Sequence, residues 1–232
     1  MIDPKILTID GPSGVGKGTL AKNLADELGW TVLDSGSLYR MVGYLSLKHN
    51  TKDFFKIRKK INLEEIYFKF NDQNSNISLF LEEEDLSNFI RNEEVAKLAS
   101  EFAVLPEVRD YLFKIQRGFR HKGKGLIADG RDMGTIVFPE AKYKFFLTAS
   151  SEERARRREN QLKESGLSVN MRNLQERIME RDNKDSSREI SPLVPAEDAI
   201  VIDSSNLGIY ELKSKVIELS LIHISEPTRP RE

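Results

Sequence analysis

The sequence contains no cysteine, which excludes disulfides, thiolate metal sites and a cysteine nucleophile at once. Histidine is nearly as scarce. His49, His121 and His223 are scattered along the chain, so the pattern supports neither a histidine metal site nor a histidine general base. No apolar run approaches the roughly 18 residues that mark a transmembrane helix, and the first apolar segment is not preceded by the basic region of a secretory leader. A formal net charge of −1 provides no basic excess to attract a nucleic-acid polymer. What remains is 232 residues, 31% charged and 39% hydrophobic, with no internal repeat. That length suits one domain with inserts. The expectation is a cytoplasmic monomer with no membrane partner.

What the chain does have begins at Gly11-Pro12-Ser13-Gly14-Val15-Gly16-Lys17-Gly18-Thr19. The apolar run Ile6-Leu7-Thr8-Ile9 precedes it, and Leu20, Leu24 and Leu28 follow at helical spacing. Strand, glycine-rich loop and helix in that order are the context of a phosphate-binding loop. The glycines let backbone N–H groups turn inward, and the helix N-terminus adds partial positive charge. Lys17 is placed to reach the terminal phosphates of a nucleoside triphosphate. Gly18 stands where the general pattern has Ser or Thr, and a hydroxyl comes only at Thr19.

Further short apolar runs at 31–33, 126–128, 144–148 and 200–203 read as strands, with helices between them at about 17–28, 92–102, 106–119, 151–164 and 170–184, and a last one at 207–219. Leu38, Met41, Val42 and Leu45 mark one more helical face. Such alternation predicts an α/β fold, a five-stranded parallel sheet with helices on both faces. A hairpin at 66–70 and 77–81 around the turn-rich 71–76 interrupts it as an insert, and its Tyr67, Phe68, Phe70 and Phe80 read as a small core. Ser151 and Arg154 do not make a capping box, although Glu152 and Glu153 suit a first helical turn. Residues 221–232, with two prolines and alternating charges, are expected to be a disordered or non-native tail.

In open α/β sheets ligands bind beyond the carboxyl ends of the strands, where Asp34-Ser35-Gly36 and Asp129-Gly130-Arg131-Asp132 fall. Asp129 has two open readings: a carboxylate for Mg²⁺ or its water shell, or a residue of an Asp-Gly turn. Arg40 sits among apolar neighbours on the following helix. Arg131 offers a planar fork for bidentate phosphate binding. Arg177, Arg181, Lys184 and Arg188 recur as one stripe if their helix persists, and Arg154 and Arg158 do the same before them. These stripes read either as solvated, salt-bridged faces or as a lid that closes over phosphates.

Together these residues resemble the bacterial cytidylate kinases, within the nucleoside monophosphate kinases of the P-loop NTPase fold, from Ile6 to about Ile217. The carrying segments are the loop with its Ile9-Asp10 lead, Leu33-Asp34-Ser35-Gly36-Ser37-Leu38-Tyr39-Arg40, Ile127-Ala128-Asp129-Gly130-Arg131-Asp132-Met133-Gly134-Thr135, Ser150-Ser151-Glu152-Glu153-Arg154-Ala155 and Pro192-Leu193-Val194-Pro195-Ala196. In that family Gly-Lys-Gly-Thr is the usual loop ending. The resemblance implies transfer of the γ-phosphoryl group of ATP to CMP or dCMP, with Mg²⁺ as cofactor. It also implies a single kinase domain over 1–220: a core of 1–62, 103–150 and 191–220, a small α+β monophosphate-binding insert at 63–102 and a helical lid at 151–190. ATP falls to Gly11, Pro12, Ser13, Gly14, Val15, Gly16, Lys17, Gly18 and Thr19. The acceptor phosphate falls to Arg40, Arg131 and Arg188, the base to Ser100, Arg109 and Asp132, and the sugar to Arg181 and Asp185, with Ser35 beside them. Lys17, Arg131, Arg158 and Arg188 are the expected catalytic groups, and Asp129 the expected metal contact, through water. The alternatives are a kinase for another monophosphate such as UMP, or a nucleotide-gated ATPase or switch.

Overall fold

The computed structural model describes residues 5–71, 76–164 and 170–225. Along the chain run β1 (Lys5–Asp10), α1 (Lys17–Leu28), β2 (Thr31–Asp34), α2 (Ser35–Lys48) and the one-turn α3 (Phe54–Ile57). The hairpin β3 (Ile66–Asn71) and β4 (Asn76–Leu81) follows, with the two-residue β5 (Glu84–Asp85), then α4 (Glu93–Phe102) and α5 (Pro106–Gly118). β6 (Gly125–Gly130), β7 (Tyr143–Thr148), α6 (Ser151–Glu164), α7 (Met171–Ser186), β8 (Ile200–Asp203) and α8 (Ile209–Ser225) complete it. Five of the strands form one parallel sheet in the order β2-β6-β1-β7-β8, as expected.

Alternation along each strand divides the core. Leu7, Ile9, Val32, Ile127, Phe145 and Leu147 pack with Leu20, Ala21 and Leu24 of α1 and with Leu212 and Val216 of α8. Ile6, Leu33, Leu126 and Ala128 point the other way, into a cluster with α2, α4 and α5. Covering both faces is what makes the strands read as almost unbroken apolar runs. The register sets Asp34 opposite Asp129 and Asp10 opposite Gly130, so the polar residues that end β1, β2 and β6 stand level at one rim.

Several details differ from expectation. Leu28 is exposed, and Ala21 and Ala25 complete the buried stripe of α1; Gly29 closes the helix at φ 63°. α6 is capped by Ser150, whose Oγ accepts from the Glu153 N–H at 3.2 Å, so the capping-box spacing begins one residue earlier than Ser151. α7 ends at Ser186 with Lys184 exposed, which cuts the stripe that was to run through to Arg188. α8 continues to Ser225, so 221–225 of the expected tail are helical; residues 226–232 lie outside the described part. The hairpin has the expected antiparallel register, Ile66 facing Leu81, and β5 adds a third strand. Its 72–75 turn lies outside the described residues. Ile66, Leu79 and Leu81 join the same cluster as α2 and α5, Phe68 packs 5.4 Å from Phe119, and Tyr67 stacks 5.0 Å from Phe80. Among the described residues no helix is long and apolar enough to cross a membrane.

Candidate active site

After Asp10 the chain turns sharply, with Gly11, Gly14 and Gly16 at φ 143°, 84° and 95°. A Cβ on Gly11 would lie 2.2 Å from the carbonyl oxygen of Leu147, so the loop can leave the sheet between β1 and β7 only with glycine there. Gly16 caps α1 in the left-handed region that glycine favours. Lys17 starts the helix, donates from Nζ to the Pro12 carbonyl at 2.9 Å and lies 3.9 Å from Asp129. Burial lowers the Lys17 ammonium and raises the Asp129 carboxyl; Arg131 pushes Lys17 further down.

The segment after β6 is tied to this loop by Asp10. Its two carboxylate oxygens accept from the N–H groups of Met133 and Gly134, at 2.9 and 2.7 Å. Burial pushes the Asp10 carboxyl up to about 7. Residues Met133–Val137 form a single π-helical turn, a local widening often found at functional sites. Asp10 was not among the expected site residues: nothing local in Ile9-Asp10-Gly11 reveals that its partners lie more than a hundred residues away.

Two clefts open at the rim. The larger, about 1050 Å³, is lined by 13–19 of the loop, by Arg158 of α6 and Arg177 of α7 and by Leu207, Ile209 and Leu212. The smaller, about 200 Å³, is lined by Ser35, Arg40, Ser100, Arg109, Arg131, Asp132, Arg181, Asp185 and Arg188, all nine residues expected at an acceptor. Ser13, Lys17, Asp34, Arg40 and Arg181 line both, so the clefts meet over Lys17. Gly11 and Pro12 line neither; their carbonyls accept from Arg131 and Lys17. Arg158 belongs to the larger cleft only, where it donates to Glu93 at 3.2 Å.

Inside the smaller cleft the charges are arranged, not merely collected. Asp185 is buried and takes Arg131 Nε at 2.9 Å on one oxygen and Arg188 on the other. Arg109 pairs with Asp132 and also donates to the Ala103 carbonyl at 3.1 Å. Arg40 donates to the Ile90 carbonyl at 2.8 Å. Arg181 is different. Its Nε is buried without a hydrogen-bond partner among the described residues, as is that of Arg188. Burial first, then the neighbouring Arg131, brings the Arg181 guanidinium down to about 10. Orphaned donors among like charges call for an anion.

Of the arginines on α6, Arg154 serves the framework. It is buried, paired with Asp182, and donates to the carbonyls of Ala149 at 3.1 Å and Ser13 at 3.2 Å. Arg157, absent from the expected set, donates to the Val15 carbonyl at 3.3 Å and to that of Ser204 at 2.6 Å. Both hold the outside of the phosphate loop.

Among the described residues no three carboxylate or imidazole side chains gather as a metal cluster. The available donor is Asp129, buried at the end of β6, with Gly18 beside it; a Cβ there would meet Asp129 Oδ2 at 3.6 Å. Mg²⁺ typically keeps several waters and uses one or two carboxylates plus substrate phosphates. A single buried carboxylate whose nearest cation stands 3.9 Å away fits that use.

The sequence matches the family described as cytidylate kinase over residues 7–221. It is 47% identical to the cytidylate kinase of Shewanella loihica over 222 residues, 95% of this chain and 94% of that protein. Against the cytidylate kinase of Shigella flexneri the identity is 48%, covering 92% and 93%, and against that of Enterobacter sp. it is 49%, with the same coverage. Among solved structures, a shikimate kinase from Bacteroides thetaiotaomicron aligns at 12% identity over 94% of this chain and 97% of its own, with a TM-score of 0.46.

Proposed function

The chain belongs to the cytidylate kinase family, and from that premise we propose that it transfers the γ-phosphoryl group of ATP to CMP or dCMP, yielding CDP or dCDP. The observation that carries this reading is the meeting of a phosphate-loop cleft and a second, arginine-rich cleft over Lys17. ATP lies in the larger cleft with its phosphates on the N–H groups of 13–19. Lys17 leaves the Pro12 carbonyl for the terminal phosphates. The monophosphate occupies the smaller cleft, its phosphate on Arg40, Arg131 and Arg188, with Arg181 at the junction where charge develops during transfer. Phosphoryl transfer needs mainly alignment and charge stabilisation, and both come from cations held by Asp185 and by backbone carbonyls. The acceptor phosphate is already ionised near neutral pH, so the reaction requires no histidine base; His49 and His121 line neither cleft.

Cytosine is read by the Arg109–Asp132 pair. The exocyclic N4 amino group donates and N3 and O2 accept, matching a carboxylate beside a guanidinium. Uracil would turn O4 toward the carboxylate, a buried mismatch of the kind that discriminates strongly. Mg²⁺ would be held at Asp129 through water, and when bound would supply positive charge to offset that of the ATP phosphates. Residues 151–190 act as lid and 63–102 as the acceptor-side insert. The test is a panel of CMP, dCMP, UMP and AMP with ATP and Mg²⁺: CDP and dCDP should form much faster than UDP or ADP from AMP. Equal rates with CMP and UMP would overturn the specificity, and ATP turnover independent of any monophosphate would favour a switch.

A further inference from the structure

We propose that Gln116 is a positioning residue of the acceptor site, holding the Ser35 hydroxyl so that its proton points at the acceptor nucleotide. The inference rests on the acceptor-cleft reading above. Gln116 lies on α5 and is only 2% exposed, on the side of the helix that packs into the apolar cluster with Leu112 and Ile115. A primary amide in such surroundings is costly unless it is bonded. Its Nε2 donates to Ser35 Oγ at 2.9 Å, in a fully buried contact between residues 81 apart in sequence.

That contact sets the polarity of the serine. A hydroxyl carries one proton and two lone pairs, and accepting from the amide leaves the proton to be used elsewhere. Ser35 is the first residue of α2, where no preceding helical turn offers a carbonyl. No other hydrogen bond involves this hydroxyl among the described residues, while Ser35 lines the acceptor cleft beside Arg40 and Arg131. The proton is therefore presented to an acceptor oxygen, and an anionic phosphate or sugar oxygen of the monophosphate is the ligand chemistry that takes it. Gln116 lines neither cleft, so it acts through Ser35 alone.

The experiment is steady-state kinetics, varying CMP and ATP separately, on the full chain and on Gln116→Met, Ser35→Ala and the double variant. Gln116→Met should raise KM for CMP about tenfold, the scale of one hydrogen bond to a charged group, with kcat and the KM for ATP within about twofold. Ser35→Ala should match it, and the double variant should lose no more than the larger single change. An unmoved or lowered KM for CMP in Gln116→Met, or losses that multiply in the double variant, overturns the proposal. Should Gln116→Met not fold, Gln116→Leu reads the same point, because it also removes the amide donor while keeping an apolar side chain of similar volume. Its effect on KM for CMP should vanish in a Ser35→Ala background, and persistence there overturns the proposal. An unsubstituted protein that makes no CDP would sink the kinase reading itself, a separate failure visible in the control.

Discussion

At the scale of the residue, the site consists of buried charges whose states oppose one another. Asp10 is raised from 3.8 to about 7 by burial. Between those values the native protein keeps a proton that the unfolded chain has released. The contribution of Asp10 to stability is therefore full at low pH, falls as pH rises through that window and is gone above about 7. Asp10→Asn retains one oxygen for the two amides and cannot titrate. Urea melts across that range should show a flatter profile for the variant, the two curves converging by on the order of 1–3 kcal/mol; parallel profiles would contradict the burial argument. Lys17→Met should reduce phosphoryl transfer by roughly 100-fold or more. Asp132→Ala strands the Arg109 guanidinium, whose side chain is 11% exposed. Breaking a buried pair costs about 3–5 kcal/mol, and KM for CMP should rise while that for ATP holds. Lys17 and Asp132 could be singled out from the sequence because each belongs to a compact signature. Asp10, Arg157 and Gln116 could not, since their roles depend on partners that only folding supplies.

At the scale of the element, the acceptor cleft depends on how closely α4 approaches α2. Gly43 permits that approach: a Cβ there would lie 2.9 Å from the Val95 carbonyl oxygen and 3.1 Å from the Ala99 nitrogen. Alanine would gain about 1 kcal/mol in helix propensity, but backbone atoms cannot rotate aside, so the clash wins. Gly43→Ala should cost roughly 1–2 kcal/mol net, read from thermal melts. It should also raise KM for CMP by displacing Ser100 on α4, while ATP binding is untouched. The helices themselves were legible, because an apolar face is a local pattern; Leu38, Met41, Val42 and Leu45 are all buried as that pattern requires. Their ends were less so. Only Ser150 has a Glu three residues on, so the capping-box spacing favours it over Ser151, a signal missed by an expectation that weighed Ser151 alone.

At the scale of the whole molecule, a chain of net charge −1 gathers Lys17, Arg40, Arg131, Arg181 and Arg188 at one rim. Added salt should therefore raise KM for both nucleotides by several-fold between about 0.05 and 0.5 M, with little change in kcat, as titration with an inert salt would reveal. The parallel α/β class followed from alternating strands and helices, but the strand order did not. Nothing in residues 125–130 says that they will lie between β1 and β2, and that placement brings Asp34, Asp129 and the loop after β1 to one rim. The clasp of Asp10 on the amides of Met133 and Gly134 has a consequence for descent and for engineering. One carboxylate anchors both the donor loop and the backbone of the loop that carries Arg131 and Asp132, so a change that shifts the Met133 and Gly134 amides disturbs the first, whereas truncating a side chain such as Asp132 does not. New acceptor preferences should thus arise through α4 and α5, which bear Ser100 and Arg109, and a library confined to those helices should yield more active variants than one spread over 130–134.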